Sequence, residues 1–173
     1  MEFASEGLAV YLWTKIAGGP DDPWHIGRER VASETGGLSY RNAVIAELAG
    51  QSISGLISYP LGDKAERISD SLPAVLVPLH ELMNLALDTW YIHVAAVSPE
   101  YRGKGQGLAL LALAERFAGS AGKASVSLIV SDTNAGARRL YESCGYREIG
   151  QRKMVKEQWQ HPGVNWVLLR KQL

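Results

Sequence analysis

A glycine-rich segment between an apolar strand and an amphipathic helix constrains this chain more than any other feature. Gly103, Gly105 and Gly107 alternate within residues 97–108 and lead directly into the helix. Glycine has no Cβ, so backbone N–H groups can approach a ligand closely, and the helix N-terminus adds partial positive charge. Such a turn is suited to hold phosphate oxygens. The segment therefore predicts a ligand that carries a pyrophosphate.

The spacing of these glycines excludes two common phosphate loops. They do not form G-x-G-x-x-G, and the segment contains no G-x-x-x-x-G-K-[ST], so neither NAD nor ATP is favoured. A glycine turn before a helix is by itself more often only a tight turn. The assignment therefore needs a second signal.

Two sequence blocks together supply that signal. Residues 97–108 resemble the acetyl-CoA-binding signature of the GNAT superfamily, [QR]-x-x-G-x-[GA] after a V-x-P strand end, with Arg102, Gly105 and Gly107 at the matching positions. Residues 134–146 resemble the family's second block, N-x-x-A-x-x-L-Y-x-x-x-G-[FY]. Its matching residues are Asn134, Ala137, Leu140, Tyr141, Gly145 and Tyr146. The chain is thus similar to acetyl-CoA-dependent N-acetyltransferases.

The resemblance implies a binding site for acetyl-CoA. The pantetheine arm would lie beside the strand at 91–97 and bond to its backbone, and a backbone N–H there would face the thioester carbonyl while a neutral amine attacks directly. No metal and no covalent acyl-enzyme is implied. The implied acetyl-CoA contacts are Ala95, Val97, Arg102, Gly103, Lys104, Gly105, Gln106, Gly107, Leu108, Asn134 and Tyr141.

The resemblance also implies proton-transfer groups. Tyr141 is the expected general acid for the departing thiolate, because a phenol ordinarily keeps its proton at neutral pH. The general base stays open, since the strand at 91–97 holds no carboxylate. His93, Glu81, Glu47 or a bound water could take the proton from the amine.

The amine acceptor is not readable from the sequence. In such a fold it would be shaped by the first two helices, the helix at 79–88 and the loop at 158–164. Small metabolites, antibiotics, polyamines and protein termini all remain open. These segments carry aromatic residues that could line a pocket or simply pack, namely Tyr11, Trp13, Trp24, Trp159 and His161.

Composition bounds the remaining classes. The chain has 173 residues, of which 46% are hydrophobic and 21% charged, which predicts a single globular domain over 1–173. Eighteen basic and 18 acidic residues leave no net field to attract nucleic acid or a membrane. Cys144 is the one cysteine, and no stretch approaches the roughly 20 apolar residues of a membrane span. We therefore expect a soluble cytoplasmic protein, and homodimers are common among similar proteins.

Residue periodicity predicts an α/β fold. The first predicted helix has an apolar face through Leu8, Leu12 and Ile16, widened by Val10, Tyr11 and Trp13, and it ends at 18–23. The other predicted helices are, in order, one over 24–34, one over 79–88, one through 110–118, and one capped by Asn134 and closed by Gly145. The predicted strands cover 42–48 and 53–59, joined by a tight hairpin, a central strand over 91–97 buried on both faces, and 125–130, 146–156 and 165–173. The resemblance implies a GNAT-like mixed, mostly antiparallel sheet of about six to seven strands flanked by helices. Its usual first edge strand has no counterpart here.

Two other functions stay open. A noncatalytic acyl-CoA-binding or sensing module would keep the phosphate turn without transferring the acetyl group, although Tyr141 favours an enzyme. A purely structural domain would require both blocks to match by accident. His25, His80, His161 and Cys144 show no metal-ligand spacing, so no metal is expected.

Overall fold

A computed structural model describes residues 5–18 and 22–173 of the chain. Its helices are α1 (Leu8–Ala17), α2 (Pro23–Ala32), α3 (Val77–Met83), α4 (Gln106–Ser120) and α5 (Ala135–Ser143). Its strands are β1 (Ala43–Leu48), β2 (Gln51–Pro60), β3 (Trp90–Val97), β4 (Ser125–Ser131), β5 (Arg147–Lys153) and β6 (Asn165–Gln172). Every element predicted from the sequence is present, but the helix predicted over 79–88 is wrong at its end. It stops at Met83, and the chain then turns toward β3, with Asp88 at a φ of 58°. In the part of the chain that the structure describes, each helix is too short or too polar to cross a bilayer.

The strands form one mixed sheet in the order β1-β2-β3-β4-β6-β5. The pairs β1–β2, β4–β6 and β5–β6 are antiparallel, and β3–β4 is parallel. The predicted mostly antiparallel α/β sheet is therefore confirmed, with six strands. The described residues before α1, Ser5 to Gly7, form no strand, and residues 1–4 lie outside the described residues.

Strand β3 is interior in this order, as predicted, but it is not buried along its whole length. Tyr91, Ile92 and Val94 are buried, whereas His93 is exposed and the last three residues are half-buried. The parallel ladder explains the difference, because it joins only Trp90–Ile92 to residues 126–128 of β4. The second half of β3 is therefore more exposed to solvent than the apolar periodicity predicts.

The chain is organised as two compact units. One comprises Met1–Ser58 and His93–Leu110, and the other comprises Tyr59–Ile92 and Leu111–Leu173. The chain passes from one unit to the other within β2, β3 and α4. A single domain over 1–173 stays a prediction.

In the first unit, α1 and α2 pack through a tryptophan against a glycine. Gly18 ends α1 in a left-handed conformation, and the Asp22 carboxylate accepts a hydrogen bond from Trp24 N at the start of α2. Trp13 is 3% exposed and meets the Trp24 ring edge-on at 5.6 Å. The predicted apolar face through Ile16 is wrong in part, because Ile16 is 50% exposed while Trp13 occupies the core.

Gly27 is the position at which this helix pair is most sensitive to added volume. A Cβ built on Gly27 would lie 2.8 Å from two Trp13 ring atoms. We expect Gly27→Ala to lower the free energy of unfolding by about 1–3 kcal/mol, because the buried ring must shift. Urea denaturation would measure the loss. The matched control is Gly119→Ala in α4, where a Cβ meets nothing within 4 Å, and a gain of roughly 0.5–1 kcal/mol is expected. Equal midpoints for the two variants would contradict the packing argument.

In the second unit, β4 and β6 form the centre of the core. Val126, Leu128 and residues 167–169 are at most 2% exposed. A buried pair of hydroxyls, Thr89 Oγ1 and Ser127 Oγ, lies 2.6 Å apart and joins the start of β3 to β4. The long antiparallel β4–β6 ladder, from Ser125 to Ser131, therefore lies at the centre of the core of this unit.

Candidate functional site

The phosphate-binding turn predicted from the sequence lies in the first unit, between β3 and α4. A 3-10 turn, Pro99–Tyr101, follows the strand, and Ser98 N donates to Ile53 O at 2.9 Å, which ties the strand end to β2. Gly103 and Gly105 have φ values of 71° and 81°. Non-glycine residues rarely adopt this conformation, so these glycines allow the chain to turn directly into α4.

The turn leaves open space at its glycines, beside the start of a helix. A Cβ added at Gly103 or Gly105 would meet nothing within 4 Å, so a ligand can approach both positions. The first amide groups of a helix have no partner within the helix and carry partial positive charge. Because α4 begins at Gln106 and has 15 residues, its N-terminus offers such donors beside the open glycines.

Polar side chains fix the ends of this turn. Arg102 Nε donates to Val97 O at 3.3 Å, and the Gln106 amide oxygen accepts from Ser54 Oγ at 3.3 Å. Lys104 Nζ lies 5.1 Å from the centre of the Tyr101 ring. Two cationic side chains on an exposed loop give the turn the charge that a phosphate ligand needs.

The structure brings most of the predicted acetyl-CoA contacts together in one unit. Ala95 and Val97 on β3 are half-buried and precede the turn, and residues 102–108 form the turn and the start of α4. Leu108 is 52% exposed. The predicted contacts Asn134 and Tyr141 belong to the other unit.

Asn134 and Tyr141 lie at opposite ends of α5. The Asn134 side chain accepts a hydrogen bond from Ala137 N at 3.1 Å and so caps the helix, as the sequence predicts. Tyr141 is half-buried, and its ring centre lies 6.1 Å from that of Tyr146. Gly145, with φ 92°, ends the helix at the predicted position.

The three candidate bases differ in their surroundings. Glu81 Oε2 accepts from Arg152 Nε at 2.8 Å, so this carboxylate is already paired within the second unit. His93 is exposed on β3, and Glu47 is exposed on β1. The structure therefore singles out none of them.

The aromatic residues considered for the acceptor separate into two groups. Trp13 and Trp159 are 3% and 5% exposed, so both serve mainly in packing. Trp159 stacks on His161 at 4.5 Å and on Trp166 at 5.8 Å, which orders the loop before β6. Trp24 is 41% exposed, and Tyr11 and His161 are half-buried, so these three remain accessible to a ligand.

The structure also shows a side-chain cluster that sequence reasoning missed. Glu115 on α4, Tyr146 after α5 and Lys171 on β6 meet beside Tyr141 in the second unit. Tyr146 stands in the second sequence block, but no local pattern links it to residues so distant along the chain. In the ranges 5–18 and 22–173, no group of three or more His, Cys, Asp or Glu side chains could hold a metal ion.

Comparisons with known protein sequences indicate the family of the chain. The family model described as Acetyltransferase (GNAT) family matches residues 23–146. No curated protein sequence matches the chain significantly.

Three similar solved structures share the fold. A crystal structure titled only as an acetyltransferase superposes with a TM-score of 0.60 at 21% identity, covering 91% of this chain and 83% of that one. An Elizabethkingia anophelis GNAT family acetyltransferase with acetyl-CoA bound gives 0.57 at 16% identity, covering 90% and 94%. A Bacillus anthracis acetyltransferase in complex with acetyl coenzyme A gives a TM-score of 0.55 at 19% identity. The match covers 76% of this chain but only 61% of the length of that protein.

Proposed function

This chain belongs to the Acetyltransferase (GNAT) family, and we propose on that basis that it is an N-acetyltransferase that moves the acetyl group of acetyl-CoA to a primary amine. The observation that carries the proposal is the open turn at Gly103 and Gly105 in front of α4. Backbone amides of this turn and of the first turn of α4 would hold the pyrophosphate oxygens. Arg102 and Lys104 add positive charge at the same place.

The second half of β3 is the proposed guide for the pantetheine arm. Ala95 and Val97 are half-buried, and the parallel ladder of β3 with β4 covers only Trp90–Ile92. Backbone groups at Ala95 and Val97 would bond to the amides of the arm, and a backbone N–H would stabilise negative charge on the thioester oxygen. This arrangement orients the acetyl group without a covalent enzyme intermediate.

Tyr141 is the proposed general acid. When the amine attacks the thioester, the C–S bond breaks and the sulfur leaves as a thiolate, which a phenol hydroxyl can protonate. The attacking nitrogen becomes positively charged when the C–N bond forms, and it loses one proton to a base. Solvent carries a proton from that base back to the phenolate, so the products are a neutral amide and the thiol of coenzyme A. The proposed base is bound water, His93 or Glu47, whereas the Glu81 carboxylate already accepts a hydrogen bond from Arg152.

The acceptor is proposed to be a primary amine on a small molecule or a peptide. Trp24, Tyr11 and His161 are the accessible members of the aromatic set and are the residues through which acceptor preference could be changed.

Calorimetric titration of acetyl-CoA, followed by an amine panel with thiol-release detection, tests the proposal. We expect saturable binding near one ligand per chain and amine-dependent release of coenzyme A. Titration with pantetheine, which keeps the thiol arm but lacks the pyrophosphate and the nucleotide, checks that the pyrophosphate half supplies most of the affinity. Binding without turnover on any amine would indicate the sensing module, and absence of binding would refute both.

A further inference from the structure

Tyr146 is held inside the second unit by a charged pair. Its side chain is fully buried at 0% exposure, and its hydroxyl donates to Glu115 Oε1 in a long hydrogen bond of 3.5 Å. Lys171 Nζ donates to the same oxygen at 2.7 Å and lies 5.9 Å from the centre of the Tyr146 ring. Burial, and then the negative charge of Glu115, raises the pKa of Tyr146 well above its usual value, so this phenol stays a donor.

The end of α5 connects Tyr146 directly to Tyr141. Tyr146 N donates to Tyr141 O at 3.0 Å, and Gly145 N donates to Glu142 O at 3.1 Å. These two bonds, with Gly145 in the left-handed conformation, are the Schellman motif that ends a helix. In this motif the residue after the glycine packs on the residue five positions before it, and here the two tyrosine rings lie 6.1 Å apart with an interplanar angle of 58°.

We propose that Tyr146, Glu115 and Lys171 position the phenol of Tyr141 for proton transfer, an inference that rests on the role given to Tyr141 in the proposed function. The buried ring of Tyr146 cannot turn away while its hydroxyl is bonded to Glu115 and Glu115 is held by Lys171. It therefore presents a fixed tilted face to the ring of Tyr141. Tyr146 touches no reacting atom and acts only through its neighbour.

A similar set of a tyrosine, a glutamate and a cationic side chain occurs at a second place, which supplies a control. Tyr40 donates to Glu34 Oε1 at 2.8 Å, Arg41 pairs with Glu34, and the Arg41 guanidinium lies 5.6 Å from the Tyr40 ring centre. Tyr40 is exposed and lies in the first unit. Tyr40→Phe therefore removes a phenol that is bonded to a glutamate but has no role in the proposed reaction.

A double-mutant cycle between Tyr146→Phe and Tyr141→Phe tests the proposal on steady-state kinetics. We expect Tyr146→Phe to lower kcat by about tenfold with KM for acetyl-CoA unchanged, because a small misplacement of a reacting group is costly. In the Tyr141→Phe background the same substitution should have no further effect, since the group being positioned is gone. Glu115→Gln should behave like Tyr146→Phe, and Tyr40→Phe should keep the wild-type kcat.

The outcomes separate this inference from the proposed function. Multiplied losses in the double variant, an unchanged kcat in Tyr146→Phe, or an equal loss in Tyr40→Phe would overturn the positioning role and leave Tyr141 as the general acid. An unchanged kcat in Tyr141→Phe would overturn the general acid and the positioning role together. Thermal midpoints of all variants show whether a lowered kcat comes from a folded protein, and Glu115→Gln gives a second measure if Tyr146→Phe is unstable.

Discussion

Replacing Tyr141 with phenylalanine is expected to lower kcat by about 10²–10⁴-fold, the usual contribution of a positioned general acid. The substitution removes one hydroxyl and keeps the ring that packs against Tyr146. Although Tyr141 is itself a predicted acetyl-CoA contact, the affinity for acetyl-CoA should stay within about twofold of wild type, because the variant keeps the ring and the pyrophosphate is assigned to the turn before α4. Steady-state kinetics with the best amine of the panel, together with calorimetric titration, measure both quantities.

The split between kcat and binding is what identifies a proton donor. A variant that lost affinity and kcat together would point to a disturbed binding site, and one that lost neither would show that water protonates the thiolate. The loss of kcat in Tyr141→Phe, relative to wild type at the same pH, should also become smaller at high pH. A simple thiol has a pKa near 8.5, so the departing sulfur needs less help from a donor as the solution becomes more basic.

The sequence predicted the elements well because their signals are local. The β1–β2 hairpin shows this, since two runs of β-forming residues are joined by Ala49 and Gly50, whose φ values of 50° and 79° suit a two-residue turn. The caps of α5 are equally local, because Asn134 and Gly145 act within a few residues of their own positions. Such elements can be predicted without knowledge of the rest of the fold.

Features that depend on tertiary neighbours were predicted less well. Apolar periodicity predicts that Ile16 lies on the buried face of α1, but Ile16 is exposed and Trp13 is buried. The reason is that Gly27 on α2 leaves space for the indole of Trp13. Similarly, the apolar run of β3 predicted burial along the whole strand, whereas the ladder with β4 covers only three residues. The apolar periodicity of a strand or helix depends on its own residues only. It does not show how far a neighbouring strand or helix covers it.

The candidate site also has one part that is local in the sequence and one part that depends on tertiary neighbours. The glycine turn was predicted because all of its parts lie within residues 97–108. The cluster of Glu115, Tyr146 and Lys171 was not, because helix α4, the end of α5 and strand β6 supply one residue each. The three residues meet only in the folded chain, so no spacing in the sequence could indicate them.

The second large effect is expected from Gly105→Glu, which should abolish detectable binding of acetyl-CoA, raising Kd by at least about 100-fold. A glutamate at this position places a carboxylate at the N-terminus of α4, where the pyrophosphate would be bound, and so opposes a negatively charged ligand. The position is open, since a Cβ there meets nothing within 4 Å. The protein should therefore fold, with a loss of about 1–2 kcal/mol from the left-handed backbone.

Gly122→Glu is the matched control for that loss. Gly122 also has a positive φ, 68°, and open space around its Cβ position, but it lies after the end of α4 rather than before its start. Both variants should lose similar stability in urea denaturation, while only Gly105→Glu should lose the calorimetric signal for acetyl-CoA. Wild-type affinity in Gly105→Glu would remove the phosphate turn from the proposed site, because no ligand bound through these amides could tolerate a carboxylate among them. Loss of binding in both variants would instead indicate that strain in the backbone, and not the position of the charge, controls the affinity.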